Sequence, residues 1–157
     1  MKQGAGRIAL AVIIIVLGWL IYHRYFVSDE ARVRKVVMSL KDAVEKNDRV
    51  KFSEAVDSQY SDEWGWDKAA LLLGFSMIQQ YYAEPKVNVA ELSVTVNGDT
   101  AEAAMFVEVT AKDFRGTTQD LTQELRGNIV NRLRLRFVKT DNGWKLKSAE
   151  TIKPKFD

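Results

Sequence analysis

Val33, Val36, Val37, Leu40 and Val44 recur at helical spacing, with Arg34, Lys35, Lys41, Asp42 and Glu45 between them. This predicts an amphipathic helix whose apolar stripe faces a core. Ser28 is placed to cap it, and Asp29 and Glu30 suit the positive end of its dipole. A shorter segment carries Val50, Phe52, Ala55 and Val56 and ends near Tyr60. After Ser61-Asp62-Glu63-Trp64-Gly65-Trp66, read as a small edge strand, Asp67 caps a third helix. That helix holds Ala70, Leu71, Leu73, Phe75, Ile78, Tyr81 and Tyr82, apolar coverage broad enough to predict burial on more than one side. Pro85 closes it.

Beyond Pro85 the period changes from 3.6 to 2. Val87 and Val89 alternate with polar neighbours, the phase slips at Ala90-Glu91, and Leu92, Val94 and Val96 resume, which predicts a strand with a β-bulge. Asn97-Gly98-Asp99 is a hairpin turn. In the returning strand Ala101, Ala103, Met105, Val107 and Val109 share one face, and Glu102, Ala104, Phe106, Glu108 and Thr110 share the other. Leu133, Leu135 and Phe137 alternate with Arg132, Arg134 and Arg136, and Asp141-Asn142-Gly143 turns into a last strand with Trp144 and Leu146. The polar stretch 113–131 is either a long loop or bent extensions of its flanking strands. Helices first and an antiparallel meander afterwards define an α+β class, three helices packed on a curved, mainly antiparallel sheet.

One segment does not fit a soluble domain. Residues 8–22 read IALAVIIIVLGWLIY without a charge, and His23 to Val27 extend the apolar character to about twenty residues, the length needed to cross a bilayer. Trp19, Tyr22, Tyr25 and Phe26 cluster where an interfacial aromatic belt is expected. The segment lacks the small-residue cleavage pattern of a signal peptide and the polar stripe of a core helix, so it reads as an uncleaved signal anchor. The chain then divides into a basic tail at 1–7, a transmembrane helix at 8–27 and an α+β domain at 28–157. Lys2 and Arg7 favour a tail on the cytoplasmic side. In a bacterium this is a single-pass inner-membrane protein with its C-terminal domain in the periplasm.

Charge changes the picture once the segment is set aside. Three of the 23 bases and none of the 21 acids precede Asp29, so the remainder carries 20 bases against 21 acids. Such a balance makes no case for nucleic acid. Cysteine is absent, which excludes disulfides, thiol catalysis and thiolate metal sites.

The order of these pieces resembles the NTF2-like superfamily, the cystatin-like cone fold. The resemblance rests on DEARVRKVVMSLKDAVEKND, the short second helix with its trailing Tyr60, VTVNGDTAEAAMFVEV and the closing RLRLRFVKTDNGWKLKSAE, and covers roughly Asp29 to Thr151. It implies a curved sheet wrapped round helices to leave a conical pocket, and frequent dimerisation through the sheet. Such a fold hosts isomerases, dehydratases, binding modules and scaffolds, so it does not by itself assign a function.

The chemistry is sparse. His23, the only histidine, lies at the apolar segment, so no histidine base or His-rich metal site is available to the domain. In isomerase-like relatives a carboxylate base and a tyrosine or acid donor work inside the cone, for which Tyr60, Asp62, Tyr81 and Tyr82 are the local candidates. No motif places any of them in a catalytic position, and no catalytic residue or cofactor is assigned. Trp64 and Trp66 around Gly65 are expected either to cover the core or to grip an apolar ligand or a partner. Arg132, Arg134 and Arg136 form a stripe that either contacts anionic groups or pairs with Glu102 and Glu108; Phe106 beside them suits a sheet-face dimer. The leading expectation is a membrane-tethered, non-enzymatic interaction module contacting protein partners through Trp64, Trp66, Tyr81, Tyr82, Phe106 and the arginines. A binder of small apolar ligands and a cone-pocket enzyme are the alternatives. A cone filled by its own side chains favours the first; an open one favours the others.

Overall fold

The structure, a computed structural model, describes residues 12–18, 28–124 and 132–152. Most of the segment read as a transmembrane helix lies outside these residues. Residues 12–18 are helical, and Val12 to Leu17 are each about half exposed or more. Among the described residues no helix is long and apolar enough to cross a membrane.

Helix α1 spans Asp29–Glu45, α2 Arg49–Ala55 and α3 Lys68–Tyr81. Each starts where a side chain replaces a missing intrahelical partner: Ser28 Oγ accepts from Ala31 N–H, an Asp48 oxygen from Lys51 N–H, and Asp67 Oδ1 from Ala70 N–H. The sheet comprises β1 (Ala83–Asn97), β2 (Thr100–Lys112), β3 (Thr118–Asp120), β4 (Arg132–Thr140) and β5 (Gly143–Thr151), with the four-residue helix α4 (Leu121–Glu124) after β3. All pairings between these strands are antiparallel, in the order β1-β2-β4-β5.

The polar stretch left open between two alternatives is neither of them where it is described. After a turn at Asp113, β3 pairs with the far half of β2, Thr110 opposite Asp120. β4 pairs only with its near half, Thr100 to Phe106. The edge of β2 is thus shared by two partners. At the junction Thr122 Oγ1 accepts from Val109 N–H at 2.7 Å, satisfying a donor that neither strand reaches. The expected bulge is present: register shifts between Ala90 and Ser93, and Glu91 has φ 52°. Extra residues on one strand bend it, and the bend wraps β1 and β2 round the helices.

The core joins the α1 stripe (Val33, Val37, Leu40, Ala43) to Phe52, Val56 and Tyr60, and to Ala101, Ala103, Met105, Phe137, Trp144 and Leu146 of the sheet. Phe52 and Phe75 stack at 4.8 Å between ring centroids, the main tie between α2 and α3. The breadth of apolar coverage on α3 does not translate into burial on several sides. Only Phe75 is buried, and Leu73, Met77 and Tyr81 face outward.

The entry to α1 is fastened to the sheet by Asp29, whose carboxylate accepts from Lys139 Nζ at 2.9 Å and Trp144 Nε1 at 3.2 Å. These two hydrogen bonds hold its pKa below the ordinary 3.8. The native state therefore binds this proton less tightly than the unfolded chain. The resulting stability is present above about pH 4 and drains as pH falls further. Urea unfolding between pH 6 and pH 3 is expected to show this acid-side loss, and Asp29→Asn to make it smaller without abolishing it, since Glu45 is lowered as well.

Candidate functional site

The concave face of the sheet and the helices do not close on each other. Between them lies a cavity of about 590 Å³, within the roughly 300–1,000 Å³ common for small-molecule pockets. Its sheet wall is made of cross-strand pairs, Val87 opposite Val109, Val89 opposite Val107 and Met105 opposite Leu133, with Leu135 beyond. Val37, Leu40 and Val44 of α1 and Leu71 and Ile78 of α3 form the facing wall. Leu121, almost wholly buried, is part of the lining, brought there by the β3–α4 excursion.

The mouth is built by the segment between α2 and α3. It runs beside β5, with Asp57 N–H donating to the Leu146 carbonyl, Ser61 to Lys147 and Glu63 to Ala149. Ser61-Asp62-Glu63-Trp64-Gly65-Trp66 is a closed turn rather than a strand, joined by a single bridge from Ser61 to Asp67. Asp62 organises it: Oδ1 accepts from Trp64 N–H at 2.9 Å and from Trp66 N–H at 2.8 Å, while Oδ2 accepts from Tyr60 Oη at 3.1 Å. Gly65, at φ 79°, supplies the left-handed step the turn requires. The two indoles, 43% and 44% exposed, thereby become part of the cavity rim.

Polar groups in the lining are already engaged. Lys41 Nζ lies 2.7 Å from Glu45 Oε2, and Glu45 Oε1 accepts from Val87 N–H at 2.9 Å. The Lys41 ammonium first, and then the Val87 amide, keep the Glu45 carboxyl below the usual glutamate range. Among the described residues no charged side chain is buried, and the buried Tyr60 and Trp144 have their polar atoms hydrogen-bonded. Nor do three His, Asp or Glu side chains converge as a metal-ligating set.

The structure separates the residues singled out in the sequence. Trp64, Trp66, Tyr60 and Asp62 meet at the cavity; Tyr81 and Tyr82 are not in its described lining, and Tyr81 is 62% exposed on the outside of α3. The arginines lie on the opposite face of the sheet. Arg134 and Arg136 each reach both Glu102 and Glu150 at 2.8–3.7 Å. The Arg132 guanidinium covers the Phe106 ring at 5.4 Å. The pairing is therefore Glu102 with Glu150 rather than with Glu108, because Glu150 stands opposite Arg134 across β4 and β5. Partly exposed pairs like these contribute about 0–1 kcal/mol each. The valine wall, Leu121 and Gly74 carry no local signal that marks them as a site, although the period-2 pattern places Val107 and Val109 on the core face.

Gly74 lies mid-helix in α3, where glycine costs roughly 1 kcal/mol against alanine. The Trp66 ring occupies the space of its missing side chain: a Cβ would lie 2.8 Å from Cζ3 and 3.2 Å from Cη2. Gly74→Ala is expected to leave Tm nearly unchanged, helix propensity offsetting the clash, but to displace the indole. A change in tryptophan emission absent from Gly74→Ala/Trp66→Phe relative to Trp66→Phe alone is the readout.

No protein-family profile matches the chain, and no curated protein matches it. Solved structures do. An NTF2-like superfamily protein from Salmonella enterica serovar Typhimurium aligns at TM-score 0.65 and 13% identity, covering 82% of this chain and 92% of that one. A candidate dehydratase of the NTF2-like family from Streptomyces avermitilis aligns at 0.64 and 19%, covering 79% and 96%. A candidate aromatic ring hydroxylase from Novosphingobium aromaticivorans aligns at 0.64 and 17%, covering 80% and 90%. The domain has the NTF2-like fold, and at these identities the likeness extends to the fold alone.

Proposed function

We propose that this domain binds a small, neutral, largely apolar molecule inside the cone. The observation that carries this reading is an open cavity of about 590 Å³ walled by valine and leucine. A cavity left unfilled forgoes packing contacts that a close-packed core would have. Lys41 is matched by Glu45 and the Asp62 carboxylate already accepts three hydrogen bonds, so the lining offers no free cation to an anionic ligand. Of the residues the interaction-module reading drew on (Trp64, Trp66, Tyr81, Tyr82, Phe106 and the arginines), Phe106 and the arginines are engaged within their own sheet. Residues 8–27 tether the domain to a membrane in this reading.

Titration of the full chain with a neutral apolar fluorophore tests the proposal. Saturable binding at about one site, with a Kd in the micromolar range or tighter, is expected; enhancement that never saturates sinks it.

An enzymatic reading has one specific support, the Tyr60–Asp62 pair at the rim of a cavity in a fold shared with candidate enzymes. Against it, both Asp62 oxygens are occupied in shaping the tryptophan turn, a role that needs no proton transfer.

A further inference from the structure

Helix α3 has a second apolar surface that the cavity does not use. From Ala69 to Ala83 the chain contains no charged residue. The exposed positions of α3 in that stretch are Ala69, Leu73, Met77, Gln80 and Tyr81. Leu73, Met77 and Tyr81 follow each other at intervals of four, which lines them up on one face, and they are 61%, 49% and 62% exposed. α1 differs: three of its exposed positions are the charged Glu30, Arg34 and Lys35, beside Ala31 and a single exposed Met38. An exposed apolar stripe of this kind, rimmed by polar Gln80, marks a surface that meets another apolar surface. Trp66 lies against Gly74, the residue after Leu73, so the rim of the cavity adjoins the stripe.

We infer that this face of α3, together with Trp64 and Trp66, docks on the surface of a lipid bilayer, and that the cone takes its ligand directly from the acyl-chain region. The inference rests on the ligand-binding reading of the cone. Three observations select the bilayer. First, only five residues separate Tyr22, the end of the charge-free run, from Ser28, a span of at most about 20 Å even when extended. Seated in a bilayer, the run holds the domain beside it, and a tethered patch binds where a free one of the same size would not. Second, the stripe is small. Fourteen helical residues cover about 21 Å, and a strip about 10 Å wide presents roughly 200 Å², against about 800 Å² per partner in a stable protein pair. Third, the exposed aromatic groups of this face, Trp64, Trp66 and Tyr81, are the side chain types that sit best at a membrane–water boundary. Trp66 borders both the cavity and this face of α3, so an apolar molecule leaving the bilayer there would enter past the indole. Besides the Phe75–Phe52 contact at its middle, α3 is tied near its ends by Lys68 Nζ on the Val56 carbonyl at 2.8 Å and Gln79 Nε2 on the Val44 carbonyl at 3.1 Å.

The absence of cysteine makes the test clean. Met77→Cys and, as control at the β1–β2 turn, Asp99→Cys carry a polarity-sensitive fluorophore on the full chain in phosphatidylcholine vesicles. Nitroxides on the upper acyl chain are expected to quench the Met77 label at least threefold more than the Asp99 label, and Leu73→Glu to remove most of that difference. Equal quenching of the two labels overturns the docking. Energy transfer between Met77 labels that persists under dilution with excess lipid also overturns it, identifying a second copy as the occupant. Val107→Trp, which blocks the cavity without touching the stripe, separates the two readings. Docking lost with probe binding still sensitive to Val107→Trp removes this inference alone. Docking present with probe binding insensitive to Val107→Trp removes the ligand reading and the transfer with it.

Discussion

Val107→Trp is expected to weaken binding of a neutral apolar probe by at least about a hundredfold, roughly 2.7 kcal/mol, while Tm stays level or rises. Val107 stands on the concave face of β2, opposite Val89 on β1, and both line the cavity. A residue in a filled core would resist such a substitution, because extra volume forces neighbours off their rotamers at about 1–3 kcal/mol. Here the added indole enters open space, and its burial, of the order of 150–250 Å² in full, stabilises the domain. Binding and stability thus move independently, which a merely disruptive mutation does not allow. Probe titration beside a thermal melt checks both. Unchanged binding with a raised Tm would show that the probe sits elsewhere and the cavity is not its site.

The second large effect is expected at Asp62. Its carboxylate accepts two backbone N–H groups of the tryptophan turn and the Tyr60 hydroxyl, and Tyr60 is itself buried. Asp62→Ala removes all three bonds together. Because the group is partly exposed, each is worth about 1 kcal/mol rather than its interior value, giving a loss of about 2–3 kcal/mol and roughly 5–10 °C in Tm. Probe affinity is expected to fall as well, since Trp64 and Trp66 lose the turn that sets them at the rim. Asp62→Asn keeps the Oδ1 acceptor, and the tyrosine hydroxyl can rotate to accept from the new amide. It is expected to restore most of the stability and of the probe affinity. That pair of variants also weighs the enzymatic reading. A carboxylate acting as a base loses its activity on conversion to the amide however well the fold survives, so turnover present in the native chain and absent in Asp62→Asn would favour catalysis.

Much of this architecture is legible in the residue pattern, because the signals involved are local. The α1 stripe, the Asp67 cap, the slip at Ala90-Glu91 and the Asn97-Gly98 turn each depend on a few neighbouring residues obeying a fixed period or a backbone constraint, and each is found where it was read. The face assignment of β2 follows from strict alternation, so Ala101, Ala103 and Met105 are buried while Glu102 pairs outward with arginines. The Trp64-Gly65-Trp66 segment has a turn residue between two large side chains, yet its pattern reads as a small edge strand. Six residues are too few for a period, and the hub that closes them is a side chain, Asp62.

What the tertiary structure decided is where apolar side chains fail to meet. The pattern marks Val87, Val89, Val107 and Val109 as inward-facing, and inward-facing residues usually touch a partner. Whether they do depends on the curvature of a sheet bent by its bulge and on how far α3 stands off, and neither is written in any one segment. The same holds for α3. Its composition predicts burial on more than one side, but one 14-residue helix at the edge of an open cone has only one face to offer the core, and Phe75 takes it. The choice of Glu150 as arginine partner likewise comes from the β4–β5 register, a pairing set by the long-range closure of the sheet. Sequence determined the elements, their order and the faces they turn inward; packing determined that the inward faces enclose a space, because a cavity is a property of distances between elements.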